Sequence, residues 1–91
     1  MTLQQLRYVI QAADSRSMNE AAKALYISQP SLSGAIKELE KEIGIELFKR
    51  SSHGTVLTPE GEEFLGYARQ VTDQYLSLIH ISEPTRPERI S

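Results

Sequence analysis

Ser28-Gln29-Pro30-Ser31-Leu32-Ser33 lies between two amphipathic patterns, and its reading decides the fold. Ser28 has the chemistry of an N-cap, its hydroxyl closing a free amide of the first turn. Pro30 costs little in a first turn, where its missing amide would have had no partner. Leu32, Ile36, Leu39 and Ile43 follow at i, i+4, i+7 and i+11, a narrow buried stripe. The other side carries Pro30, Gly34, Lys37 and Lys41, flanked by Ser31 and Ser33. The segment therefore reads as a helix from about Ser28 to Glu42 whose tip is small, polar and outward-facing. Such a tip can enter a DNA major groove. Gly44 suits the left-handed residue that stops a helix.

Working outward, a shorter helix precedes it. Ser17 is its N-cap, Glu20 the capping-box partner, and Ala21, Ala22 and Leu25 its inner face. The alanines allow close helix approach, and Tyr26-Ile27 makes the turn, with Ile27 plugging the angle. Before that, Leu3, Leu6, Val9 or Ile10, and Ala13 mark a first helix over Leu3–Asp14, with Thr2 and Gln5 at capping-box spacing. After Gly44, Ile45–Phe48 and Thr55–Leu57 read as two short strands joined by a polar loop from Lys49 to Gly54, a small wing. Thr58-Pro59 opens a fourth helix, a hydroxyl cap followed by proline at the first helical position. Glu60, Glu62 and Glu63 suit the positive end of its dipole. Phe64, Leu65, Ala68, Val71, Tyr75 and Leu78 or Ile79 continue an apolar stripe. From Pro59 to Ile79 the helix would measure about 30 Å. That is too long and too apolar to cap so small a unit alone, so it is expected to pair with a copy of itself.

The chain has 91 residues, enough for one small domain that a partner chain would help to stabilise. It has no cysteine, hence no disulfide framework or thiolate metal site, as fits a reducing interior. His53 and His80 lack metal-spaced partners, so zinc is not expected. No paired catalytic groups or phosphate-cradling glycine loop is present, so neither an enzyme nor a cofactor is expected. No run approaches the roughly 20 apolar residues that span a bilayer, and no signal peptide precedes the first helix. The expected setting is the cytoplasm, with no membrane partner. Net charge is −2, which does not advertise nucleic-acid binding; only local basicity can support it. Lys37, Lys41, Lys49 and Arg50 supply that basicity. Glu38, Glu40, Glu42 and Glu46 are interspersed and are expected to face away from any DNA.

The ordered set Ala21-Ala22, Leu25, Ser28 to Ser33, Ile36, Leu39-Glu40, Gly44, Leu47-Phe48, Arg50 and Leu57-Thr58-Pro59-Glu60-Gly61 resembles the N-terminal domain of LysR-type transcriptional regulators. The resemblance covers about Met1 to Tyr75. It implies a mainly α, winged helix-turn-helix fold: a three-helix core, a short two-stranded wing and a long linker helix. It also implies homodimers, assembled further into tetramers, on promoter DNA. The small-molecule effector belongs to a sensing domain that is missing here. Residue by residue, Gln29, Pro30, Ser31 and Ser33 match major-groove positions, Lys37 a phosphate-facing site, and Arg50 the wing arginine. Position 34 is often basic in the family and here is Gly34. Position 53 is basic in some members and here is His53, mostly neutral at pH 7. Both departures weaken the counterion-release contribution to affinity.

Each candidate has a plainer role beside the functional one. Ser28 caps its helix and can also touch phosphate. Gln29 can pair bidentately with adenine or stay solvated. Pro30 and Ser31 shape the helix start or touch bases or backbone, and Ser33 allows close approach or is a surface hydroxyl. Lys37 and Arg50 are either phosphate contacts or surface charges. Phe64, Leu65, Ala68, Val71 and Tyr75 are core or dimer seam. The functional expectation is a sequence-specific, dimeric binder of double-stranded DNA. The alternative is a winged-helix protein–protein interaction module without DNA binding.

The expected organisation is 1–58 as the DNA-binding domain, 59–81 as the linker and dimerisation helix, and 82–91 as an unstructured tail. Leu76-Ser77-Leu78-Ile79-His80-Ile81-Ser82-Glu83-Pro84-Thr85-Arg86 resembles the translation of a transposon-type sequencing-library adapter. On that reading the native sequence extends only to about Tyr75, and no function attaches to His80 or beyond.

Overall fold

The computed structural model describes residues 1–52 and 54–82, the last four as helix backbone. Its elements run α1 (Leu3–Asp14), α2 (Met18–Leu25), α3 (Gln29–Ile43), β1 (Phe48–Ser51), β2 (Gly54–Leu57) and α4 (Pro59–Ser82). The fold is mainly helical with one two-stranded antiparallel sheet.

Local capping chemistry sets the helix starts. Thr2 Oγ1 accepts from the Gln5 amide at 3.1 Å, while Gln5 Oε1 accepts from the Thr2 amide at 2.9 Å. Ser17 Oγ accepts from the Glu20 amide at 3.1 Å, and Ser28 Oγ from the Ser31 amide at 3.2 Å. Each cap satisfies a first-turn donor that has no partner within its helix. Tyr26 ends α2 in the left-handed region at φ 61° and is 94% exposed. A side chain is disfavoured there. The tight reversal holds it, with Tyr26 and Ile27 amides donating to the Lys23 and Ala22 carbonyls. Gly44 ends α3 at φ 72°, as its sequence position predicts.

Val9, Ala21, Ala22, Leu32, Ile36, Leu39 and Leu47 are buried where α1, α2 and α3 meet, with Phe48 closing the wing side. Ala21 and Ala22 keep α2 close to its neighbours, so α3 is held rigidly by its Leu32–Ile36–Leu39 stripe. Removing Leu32 to alanine would cost about 2–5 kcal/mol.

The wing differs from its sequence reading. Ile45–Leu47 is not strand; β1 begins at Phe48 and pairs Phe48 with Leu57 through to Ser51 with Gly54. Leu47 is wholly buried, and its amide donates to the Glu40 carboxylate rather than to a neighbouring strand. An apolar run that plugs the core has the composition of a strand without its pairing. The loop is accordingly shorter than Lys49–Gly54. His53 lies outside the described residues.

α4 is also redistributed. Phe64 and Leu65 pack against the common core and Ala68 is 1% exposed within the single chain, whereas Tyr67, Val71 and Tyr75 stand on the outer side. The Arg69 guanidinium forks onto Asp14 at 2.6 and 3.3 Å and ties α4 to the end of α1. That hydrogen bonding raises the Arg69 pKa above its ordinary value. Helical backbone continues through Ser82, so that residue is not tail; residues 83–91 lie outside the described residues. No described helix is long and apolar enough to cross a membrane.

Candidate nucleic-acid interface

Gln29, Ser33 and Lys37 are spaced four apart on α3 and fall on one side of it. Together with Ile36 and Glu40 they form the floor of an open groove of about 500 Å³. The wing forms one wall through Phe48, Lys49, Arg50, Ser51, Gly54 and Thr55. The N-terminal end of α2, Ser17 to Asn19, forms the other. Four of the seven sequence-predicted contact residues thus meet here: Gln29, Ser33, Lys37 and Arg50.

Ser28, Pro30 and Ser31 do not line this groove; they are exposed at the tip of α3. Ser28 Oγ is engaged in capping and donates to Ser31 Oγ at 2.9 Å. Its capping role is therefore the one visible in the geometry. The tip remains small and open, with one amide capped and Pro30 lacking one.

The electrostatics are local. In a chain of net charge −2, the groove carries the cations Lys37, Lys49 and Arg50 against the carboxylates Glu40 and Glu46. These cations are exposed, so their charges are available to an anionic partner. Glu40 and Glu46 both line the groove, and exposed Glu46 does not face away from it, contrary to the sequence reading. Glu40 is turned inward: one carboxylate oxygen accepts from the Leu47 amide at 2.7 Å and the Phe48 amide at 3.2 Å.

Sequence reasoning missed the α2 contribution to the groove and the bonds of Glu40. Asn19 and Ser17 belong to the wall because α2 runs its N-terminus toward the groove; Ser17 was legible only as a cap. The general crossing of the first helix over a backbone in helix-turn-helix units was the available signal. Glu40 stood in the set that carries the family resemblance, but its bonds to the main chain gave no local signal, since its partners lie seven and eight residues on.

Behind the groove, Thr58 joins wing to α4. It is 5% exposed; its hydroxyl donates to the Glu46 carbonyl and accepts from the Gly61 amide at 2.8 Å. The Thr58 amide donates to the Leu47 carbonyl at 2.9 Å. A Cβ on Gly61 would lie 2.2 Å from the Leu47 carbonyl oxygen, so only glycine permits this approach.

An α2 with two buried alanines, a capped α3 with an exposed polar tip, and a hairpin sharing one groove with it form a winged helix-turn-helix. Residues 3–62 match the family described as "Bacterial regulatory helix-turn-helix protein, lysR family". The chain belongs to the LysR family. BudR of Klebsiella aerogenes, an HTH-type transcriptional regulator, is 52% identical over 64 residues, covering 70% of this chain and 45% of BudR. TfdS of Cupriavidus pinatubonensis, also an HTH-type transcriptional regulator, is 42% identical over 73 residues. That match covers 80% of this chain and 25% of TfdS, so this LysR-family chain spans about a quarter of the relative's length. Among solved structures, the BenM DNA-binding domain in complex with catB site 1 DNA superposes with a TM-score of 0.87 at 36% identity. It covers 91% of this chain and 89% of that one. The DNA complex of the CbnR DNA-binding domain gives 0.85 at 35% identity, covering 90% and 94%. These LysR-family relatives are transcriptional regulators, not enzymes.

Proposed function

We propose that this chain is the sequence-specific DNA-binding part of a bacterial LysR-type transcriptional regulator. The observation that carries the reading is the common groove. Gln29, Ser33 and Lys37 on α3 face the same opening as Arg50 on the wing. The first turn of α3 enters the major groove of double-stranded DNA, Gln29 and Ser33 meeting base edges while Pro30 and Ser31 pack against base or backbone. Ser28 caps the helix close to phosphate. Lys37 and Arg50 orient the domain through phosphates, Arg50 reaching the backbone or minor groove. The solved complexes of BenM and CbnR domains with DNA support the partner.

On this reading residues 1–58 form the DNA-binding unit, and 59–81 a linker helix, native to about Tyr75, that pairs two copies. Tyr67, Val71 and Tyr75 recur at i, i+4 and i+8, with exposures of 62%, 46% and 46%. This outer stripe, rather than Phe64, Leu65 and Ala68, is the seam between copies, because those three already serve the chain's own core. The small-molecule effector acts on a region corresponding to the remainder of relatives such as TfdS. The site of action is the cytoplasm, where promoter DNA lies.

The test uses duplexes selected from a random pool on the wild-type chain, with affinity measured across a salt series. The expected result is steep weakening with salt and a clear preference over scrambled duplex. Lys37→Ala and Arg50→Ala should each weaken binding about equally on all sequences and reduce the salt slope by about one. Salt-independent affinity, or equal affinity for scrambled duplex, overturns the proposal. The acidic net charge favours a second reading, a protein-interaction module. It predicts that both substitutions leave self-association unchanged and that no duplex is selected.

A further inference from the structure

A carboxylate in a groove meant for phosphates is unfavourable unless it is committed elsewhere, and Glu40 is so committed. Its Oε2 accepts from two successive main-chain donors, Leu47 at 2.7 Å and Phe48 at 3.2 Å. These are the last buried residue before the wing and the first residue of β1. Glu40 lies on α3, three residues after Lys37. One side chain therefore bridges the reading helix to the root of the hairpin. Arg50 follows Phe48 by two residues and faces Thr55 in the register. The same root is held from its other side by the Thr58 hydroxyl on the Glu46 carbonyl and the Thr58 amide on the Leu47 carbonyl, which tie it to the start of α4. The Thr58 bonds tie the root to α4, whereas Glu40 ties it to α3, the helix that carries Gln29 and Lys37, so the stance of Arg50 toward those residues depends on Glu40.

We infer that Glu40 is a positioning residue for DNA binding: its carboxylate pins the Leu47–Phe48 main chain to α3 and so fixes Arg50 over the same groove that α3 reads. The inference rests on the DNA-binding reading above. It assigns Glu40 no contact with DNA. Glu40 acts through Arg50, so the two residues are energetically coupled although neither touches the other.

The coupling is measured with a double-mutant cycle on the selected duplex, using the full chain and correcting each affinity for the folded fraction. Arg50→Ala in the wild-type background should weaken binding about tenfold. In the Glu40→Ala background the same change should weaken it less than about twofold, because an unpinned wing has already lost the contact. Glu40→Gln keeps an acceptor oxygen and should restore most of the Arg50 effect. Should Glu40→Ala fail to fold, Glu40→Asp, one methylene too short to reach both amides, takes its place in the cycle. A role confined to global stability predicts instead an undiminished effect of Arg50→Ala, and that result overturns the inference. A second arm needs no DNA. Amide exchange at Leu47 and Phe48 should accelerate at least about tenfold in the variant while core amides such as Leu32 keep their rates. Unchanged exchange at both residues refutes the clamp itself. A wild-type chain that binds no duplex refutes the DNA reading and with it Arg50's role, while the exchange arm still judges the clamp.

Discussion

Replacing Gly61 by alanine should unlock the joint between wing and α4. The new Cβ would lie 2.2 Å from the Leu47 carbonyl oxygen and 3.0 Å from both the Leu47 carbonyl carbon and Leu57 Cδ2. The first contact is short by about 1 Å, and its neighbour is backbone that cannot rotate away. Shifting α4 outward by that amount stretches the Thr58 amide bond to Leu47, now 2.9 Å, and the Thr58 hydroxyl bond to Glu46 beyond useful range. Two weakened hydrogen bonds cost about 1 kcal/mol each, and the overpacking about 1–3 kcal/mol. Alanine's better helix propensity returns about 1 kcal/mol. The net loss is about 2–4 kcal/mol, a fall in Tm of roughly 10–25 °C for a domain of this size. Urea unfolding followed by circular dichroism measures it, and Gly34→Ala is the control. Nothing lies within 4 Å of a Cβ at Gly34, so that change should stabilise α3 by about 0.5–1 kcal/mol. A Gly61→Ala chain as stable as wild type would refute the reasoning.

Gly34→Arg has the same open space and restores a cation beside the α3 face; fluorescence anisotropy across a salt series should show tighter binding and a slope steeper by about 0.9. Arg69→Gln should cost no more than about 1 kcal/mol, since the pair with Asp14 is half exposed. The Arg69 pKa is raised, so its stabilisation is present below the unfolded value and lost only in strong alkali. Thermal melts from pH 6 to 9 should therefore show the same difference from wild type throughout. Val71→Asp places a charge on the outer α4 stripe and should shift sedimentation toward monomer while leaving the unfolding free energy of the monomer, from urea titration, within about 0.5 kcal/mol of wild type.

The helices were readable because their punctuation is local. Thr2, Ser17 and Ser28 bond to amides three residues on, and Gly44 supplies the left-handed stop, so residue type and spacing suffice. Leu32, Ile36 and Leu39 announce the inner face of α3 and so put Lys37 on the opposite side with Ser33 on its flank; that Gln29 joins them along one flank beside Ile36 is not legible in the repeat. The wing was blurred because Ile45–Leu47 has a strand's composition. The partner of the Leu47 amide, Glu40, is a tertiary neighbour that periodicity cannot name. On α4, one broad apolar stripe serves two surfaces. Whether Ala68 or Val71 turns inward depends on where α1 lies, which the repeat alone does not encode. Asn19 entered the groove for the same reason: the angle between α2 and α3 puts it there.

The most direct measurement is an amide NMR titration of the isotope-labelled chain with its selected duplex. Shifts concentrated at Gln29, Ser33, Lys37 and the Lys49–Thr55 hairpin, with Tyr67 and Val71 left in place, are the predicted outcome. Shifts confined to α4, with the α3 tip silent, would contradict the account.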